Sequence, residues 1–196
     1  THLEQAIAAF AAARAALGLT ARHVLLYVGR IQRLKGIDLL LRAAARLVRE
    51  HPALGESLVV LIVGGRPETT DSPERAELAR LQELACRLDI SQHVHFVGAV
   101  EQERLPLYYA AADATVVPSL YESFGLVAVE SMACGTPVVA ARVGGLASTV
   151  RDGETGFLIP TRDPRLYAQR LAMLLSDRPL RARLALQARR AAARYA

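Results

Sequence analysis

The chain has 196 residues, 52% of them hydrophobic, which makes one ordinary domain able to bury a core without disulfides or metals. Its formal charge of +5 comes from basic residues spread over helical stretches between Arg14 and Arg194, and aromatic residues amount to only 5%, so the clustered cations and stacking aromatics of a nucleic-acid surface are not expected. No run of about 18 apolar residues could span a bilayer, and Cys86 and Cys134, which form no CxxC pair, read as free thiols acting as small hydrophobes on apolar helical segments in a reduced, cytoplasmic setting.

Along the chain, residues 1–20 read as a helical lead-in, and residues 178–196 as an Arg/Ala-rich terminal helix. Between them, over residues 21–177, short β-branched runs alternate with longer stretches of period 3.6, the pattern of βαβ units in a parallel sheet covered on both faces. The fold class expected is therefore α/β, a Rossmann-like parallel sheet of about six strands. The strands fall near His23–Val28, Leu58–Val63, Val94–Val97, Ala114–Val117, Pro137–Ala141 and Gly156–Ile159. Helices include Ile37–Glu50 and Pro73–Leu88, whose Leu78, Leu81, Ala85 and Leu88 share a core-facing stripe, while Glu68–Pro73 reads as a polar, mobile turn.

Ligands of such sheets sit beyond the carboxyl ends of the strands, so the loops leaving each strand carry the functional information. The first is Gly29-Arg30-Ile31-Gln32-Arg33-Leu34-Lys35-Gly36. Its glycines allow close backbone approach, and Arg30 and Lys35 put two cations at the sheet mouth, which suits a phosphate; plain surface cations at a helix start are the alternative. Of the 24 basic residues, Lys35 is the only lysine.

The loop after the fourth strand runs Pro118-Ser119-Leu120-Tyr121-Glu122-Ser123-Phe124-Gly125-Leu126 and continues to Glu130. A helix starting near 123–125 and closing around Cys134, with Gly135 and Pro137 beyond it, would leave the N–H groups of Ser123, Phe124, Gly125 and Leu126 free, a second anion site. Glu122 precedes that helix and Glu130 lies about one and a half turns into it, so the two carboxylates should find different partners rather than form an acid/base dyad. Carboxylates beside a phosphate site call for donors, and sugar hydroxyls supply them, which points to a nucleotide sugar; a solvated Glu130 and a dipole-favoured Glu122 are the plainer alternative. After the third strand, Gly98 within Val97–Val100 could bring main-chain groups to a base edge or merely turn the chain, and Val143-Gly144-Gly145-Leu146 is similar.

In this order, GRIQRLKG, FVGAV, the E-x7-E from Glu122 to Glu130 inside PSLYESFGLVAVESMACGTPVVA, the ARVGGL turn and DGETGFLI resemble the C-terminal domain of glycosyltransferase family four, the group 1 glycosyltransferases, over about Leu17 to Leu175. The flavour is that of its inositol-phosphate N-acetylglucosaminyltransferase and sucrose-phosphate synthase branches. The resemblance implies one half of a GT-B fold, whose active site lies between two Rossmann-like domains, with an N-terminal acceptor-binding domain as the partner. It implies a retaining, metal-independent transfer from a nucleotide-diphosphate sugar, UDP-linked, with no cofactor. By position Gly29, Arg30 and Lys35 and the amides of Ser123, Phe124, Gly125 and Leu126 would hold the diphosphate, Glu122 the transferred sugar and Glu130 the ribose. Val97, Gly98 and Val100 would read the base, with Leu105 against its face. Arg30, Lys35 and Glu122 are the catalytic candidates. Many relatives carry an acidic residue where this chain has Ser148, which bears on donor choice. A non-catalytic nucleotide-binding or regulatory module of the same fold is the alternative function.

Overall fold

The computed structural model describes residues 2–65 and 72–195; most of the Glu68–Pro73 turn lies outside the described residues. Nine α-helices and six strands occur among them: α1 (His2–Ala16), β1 (His23–Val28), α2 (Ile37–Glu50), α3 (Pro52–Gly55), β2 (Leu58–Val63), α4 (Pro73–Arg87), β3 (Val94–Gly98), α5 (Leu105–Ala111), β4 (Ala114–Val117), α6 (Leu126–Ala133), β5 (Val138–Ala141), α7 (Leu146–Thr149), β6 (Gly156–Ile159), α8 (Pro164–Ser176) and α9 (Arg178–Ala192). The strands form one parallel sheet in the order β3-β2-β1-β4-β5-β6. The expected Rossmann-like α/β class is what the chain adopts.

Alternation along the strands sends successive side chains to opposite faces. Leu25 and Tyr27 of β1 and Val60 and Ile62 of β2 join a core with α2, α4 and α8. Val24 and Leu26 face the other way, packing with Val59, Leu61 and Tyr109. A third cluster places Ala128 and Met132 of α6 against Val138 and Ala140 of β5 and Ala188 and Ala192 of α9. Every residue of Leu58–Val63 is buried, as a central strand of a doubly covered sheet requires.

Local signals account for the helix starts. Ser72, Asp163 and Asp177 accept from the backbone N–H of Arg75, Arg165 and Leu180, each with a proline in the first turn that follows. The expected boundaries shift slightly. Pro137 stays outside β5, and its carbonyl accepts from Thr115 N; β3 runs on to Gly98 through a register shift opposite Ile62/Val63. Leu81 and Ala85 are buried, and Leu78 and Leu88 pack partly buried against the same core. Cys86, read as a small core hydrophobe, is exposed, because α4 turns that position outward; Cys134 is partly buried at the end of α6, and burial pushes its thiol pKa up.

Not all the arginines are solvated. Asp113, just before β4, is buried and accepts from Val24 N at 2.8 Å and from Arg14 Nη2 at 2.8 Å, with Arg181 Nε at 3.4 Å. Arg14 also donates to the carbonyls of Ala111 and Ala21. One carboxylate thus ties α1, β1 and α9 at the amino edge of the sheet. Removing it strands two largely buried cations and a strand N–H, so Asp113→Ala should lower unfolding stability by about 3 kcal/mol or more, read from urea denaturation.

Candidate functional site

The sheet order reverses between β1 and β4. Their following loops leave in divergent directions and open a crevice beyond the carboxyl ends, where open α/β sheets take ligands. The two loops are joined at their base: Leu120 N donates to the carbonyl of Leu34 at 2.8 Å. Gly36 has φ 67°, and a Cβ there would collide with the carbonyl of Pro118. The positive φ and the close approach both demand glycine.

Lys35 and Glu122 meet across this crevice. Lys35 ends a short 3-10 turn, Arg33–Lys35, and its Nζ donates to Glu122 Oε2 at 2.9 Å, with both side chains about four-fifths buried. Glu122 is fixed from behind, since its carbonyl accepts from Gly145 N at 2.9 Å. That bond joins the β4 loop to the Val143–Leu146 turn. Gly29 N donates to Val63 O, and Tyr27 Oη donates to the carbonyl of Arg30. The Arg30 guanidinium is exposed and makes no ion pair among the described residues, so its charge is available at the mouth.

The helix of the second loop begins later than its sequence suggests. Gly125, at φ 84°, is the residue before α6, which starts at Leu126. The first amides of α6 are therefore those of Leu126 and Val127, while Ser123 and Phe124 belong to the preceding turn. Phe124 and Leu126 are exposed. Phe124 meets the ring of Tyr195 edge-on at 5.9 Å, so the end of the chain lies beside this loop. Glu130 points to a different partner, as its spacing from Glu122 implied: Tyr109 Oη donates to Glu130 Oε2 at 2.7 Å.

The segment after β3 is divided. Val97 and Gly98 line a cavity of about 220 Å³ with Ile31, Gly64, Gly65, Glu74 and Phe96. Val100 and Leu105 pack instead on the opposite side of the sheet, with Tyr109 and Val127. The Gly64-Gly65 pair after β2 belongs to the cavity wall, and glycines directly after a strand are a readable sign of close approach: a Cβ on Gly64 would meet the carbonyl of Gly29. Gly64 N donates to Gly98 O, and Glu74 Oε1 accepts from Ile31 N, so α4 buttresses the Arg30 loop. Among the described residues no group of three or more His, Cys, Asp or Glu side chains could hold a metal ion, and no helix is long and apolar enough to cross a membrane.

A parallel sheet with this strand order, carrying a cation, a carboxylate and a helix start at its switch point, defines a Rossmann-like α/β domain with a polar crevice at the place where such sheets take ligands. The family model described as glycosyl transferases group 1 matches residues 10–191, and the chain belongs to that family. It is 54% identical over 171 residues to a D-inositol 3-phosphate glycosyltransferase of Catenulispora acidiphila, covering 87% of this chain and 39% of that protein. Sucrose-phosphate synthase from Thermosynechococcus elongatus superposes with a TM-score of 0.82 at 40% identity, over 94% of this chain and 44% of that one. Anabaena Alr3699/HepE in complex with UDP-glucose gives 0.82 at 28% identity, over 95% and 48%. The chain thus spans less than half the length of these proteins.

The loop junction makes its own prediction. Gly36→Ala should lower unfolding stability by more than about 1 kcal/mol, because it strains φ and pushes the Pro118 carbonyl away from the Arg30–Lys35 loop. The shift in the denaturant midpoint measures it.

Proposed function

We propose that this domain binds the donor of a two-domain, retaining, metal-independent glycosyltransferase that moves a sugar from a UDP-sugar to an acceptor hydroxyl in the cytoplasm. The observation that carries the reading is the Lys35–Glu122 pair at the β1/β4 crevice, a phosphate-seeking ammonium and a hydroxyl-seeking carboxylate 2.9 Å apart. The likeness to Anabaena Alr3699/HepE, which binds UDP-glucose, and to the D-inositol 3-phosphate glycosyltransferase of Catenulispora acidiphila supports it.

In this reading the bond from the anomeric carbon to the diphosphate breaks, a bond to the acceptor oxygen forms on that carbon, the acceptor proton passes to the departing phosphate oxygen, and negative charge builds on the leaving phosphate during the step. Arg30, Lys35 and the first amides of α6 neutralise that charge, held in advance so that little reorganisation is needed. Glu122 accepts hydrogen bonds from the transferred sugar, and Glu130 accepts from the ribose. Val97 and Gly98 meet the base at the cavity they line, while Val100 and Leu105, packed on the other side of the sheet, support the segment from behind. An N-terminal domain in the same protein supplies the acceptor site and closes the cleft.

Two variants of the full-length protein test the assignment. Arg30→Ala combined with Lys35→Ala should weaken UDP binding at least about tenfold by titration calorimetry, since charge-assisted bonds contribute about 1.5–3 kcal/mol each. Unchanged affinity would remove the phosphate role. Glu122→Gln should separate the two ligands. It releases Lys35, so UDP affinity is kept or tightened, while sugar transfer, scored by nucleotide release, falls about 10- to 100-fold. Full transfer activity in Glu122→Gln would favour a non-catalytic nucleotide-binding module instead.

A further inference from the structure

Glu130 occupies an electrostatically poor place. It lies in the second half of the eight-residue α6, towards the end where backbone carbonyls concentrate negative potential. What offsets this is Tyr109 of α5, a residue only 1% exposed, whose Oη donates to Glu130 Oε2 at 2.7 Å. This is the one side-chain hydrogen bond of Glu130 among the described residues, and it uses one carboxylate oxygen only.

The phenol is itself held rigidly. The carbonyl of Tyr109 accepts from Thr136 Oγ1, Thr136 N donates to Ser131 O, and Ser131 Oγ lies within hydrogen-bond distance of both Thr115 Oγ1, at 2.7 Å, and Thr136 O, at 3.0 Å. A buried polar chain thus fixes α5, α6 and β4 relative to one another. Burial, and then the hydrogen bond to Glu130 and its charge, push the Tyr109 hydroxyl far above the usual phenol range, so it stays protonated and remains a donor. An arginine here would have neutralised Glu130. A phenol orients the carboxylate and leaves its charge intact.

We infer that Tyr109 is a positioning residue for the donor: it tethers Glu130 Oε2 so that Oε1 is presented to the ribose hydroxyls of the nucleotide. The inference rests on the reading of Glu130 as the ribose acceptor. A purely structural Tyr–Glu contact would matter equally for any nucleotide, whereas a positioning contact matters only when ribose hydroxyls are present.

The experiment compares UDP with 2′,3′-dideoxy-UDP on the full-length protein by titration calorimetry, for the unmodified enzyme, Tyr109→Phe and Glu130→Ala. Tyr109→Phe keeps the ring, and its thermal midpoint is recorded alongside. It should weaken UDP about five- to tenfold and dideoxy-UDP less than about twofold, with KM for the sugar donor raised and kcat at saturating donor nearly unchanged. Equal weakening of both nucleotides, or of neither, would overturn the positioning role. If Glu130→Ala abolishes the preference for ribose while Tyr109→Phe leaves it whole, the ribose reading stands and the role of Tyr109 falls. If Glu130→Ala leaves the preference untouched, or the unmodified protein binds no UDP, the donor reading fails and the inference with it.

Discussion

β1 and β4 lie side by side in the sheet, but the chain turns away from them in divergent directions, and the crevice between the two departing loops is where the chemistry collects. A parallel sheet satisfies its backbone groups internally, so polar recognition is concentrated at strand ends. At this end the Leu34–Leu120 backbone bond and the Gly36–Pro118 approach hold the loops at one spacing. That spacing lets an ammonium from one loop reach a carboxylate from the other. A shift of either loop would separate the pair, so the glycine and the backbone bond are as much part of the site as the charged groups.

The same logic assigns the two carboxylates of the E-x7-E segment to different tasks. Glu122 sits before α6, against a cation and held from behind by Gly145 N, where it can exchange one partner for another. Glu130 sits inside α6 against a neutral donor that cannot leave. In the proposed donor-binding reading, the first would exchange its partner when a ligand enters, and the second would be oriented before it arrives.

Much of this was legible in the sequence, for physical reasons. β-branched runs such as Leu58–Val63 and the apolar stripe of Ile37–Glu50 encode the layers directly, and Arg30, Lys35, Glu122 and Glu130 stand out because carboxylates near paired cations on the loops leaving the strands call for hydrogen-bond donors. Spacing implied that Glu122 and Glu130 would find different partners, and they do; that Glu122 pairs with Lys35 is visible only in the structure. The left-handed Gly125 that delays α6 was less readable, since a glycine at a helix start is compatible with several turns. The clamp of Arg14 and Arg181 on Asp113 and the bond from Tyr109 to Glu130 join residues 99, 68 and 21 positions apart. Such partners are set by how helices pack, and no local pattern announces them. Val100 and Leu105 show the same limit: their proximity to Val97 in sequence hides the sheet that separates them.

Lys35 has a consequence beyond binding. It is the only lysine among 24 basic residues, so it carries the only side-chain primary amine of this chain. That amine is mostly buried against Glu122 at the crevice. Its acylation by an amine-directed reagent is therefore slow when the pair is closed and responds to anything that opens or fills the crevice. The crevice thus holds its own chemical reporter, a single side-chain amine whose acylation would distinguish a closed Lys35–Glu122 pair from an opened one.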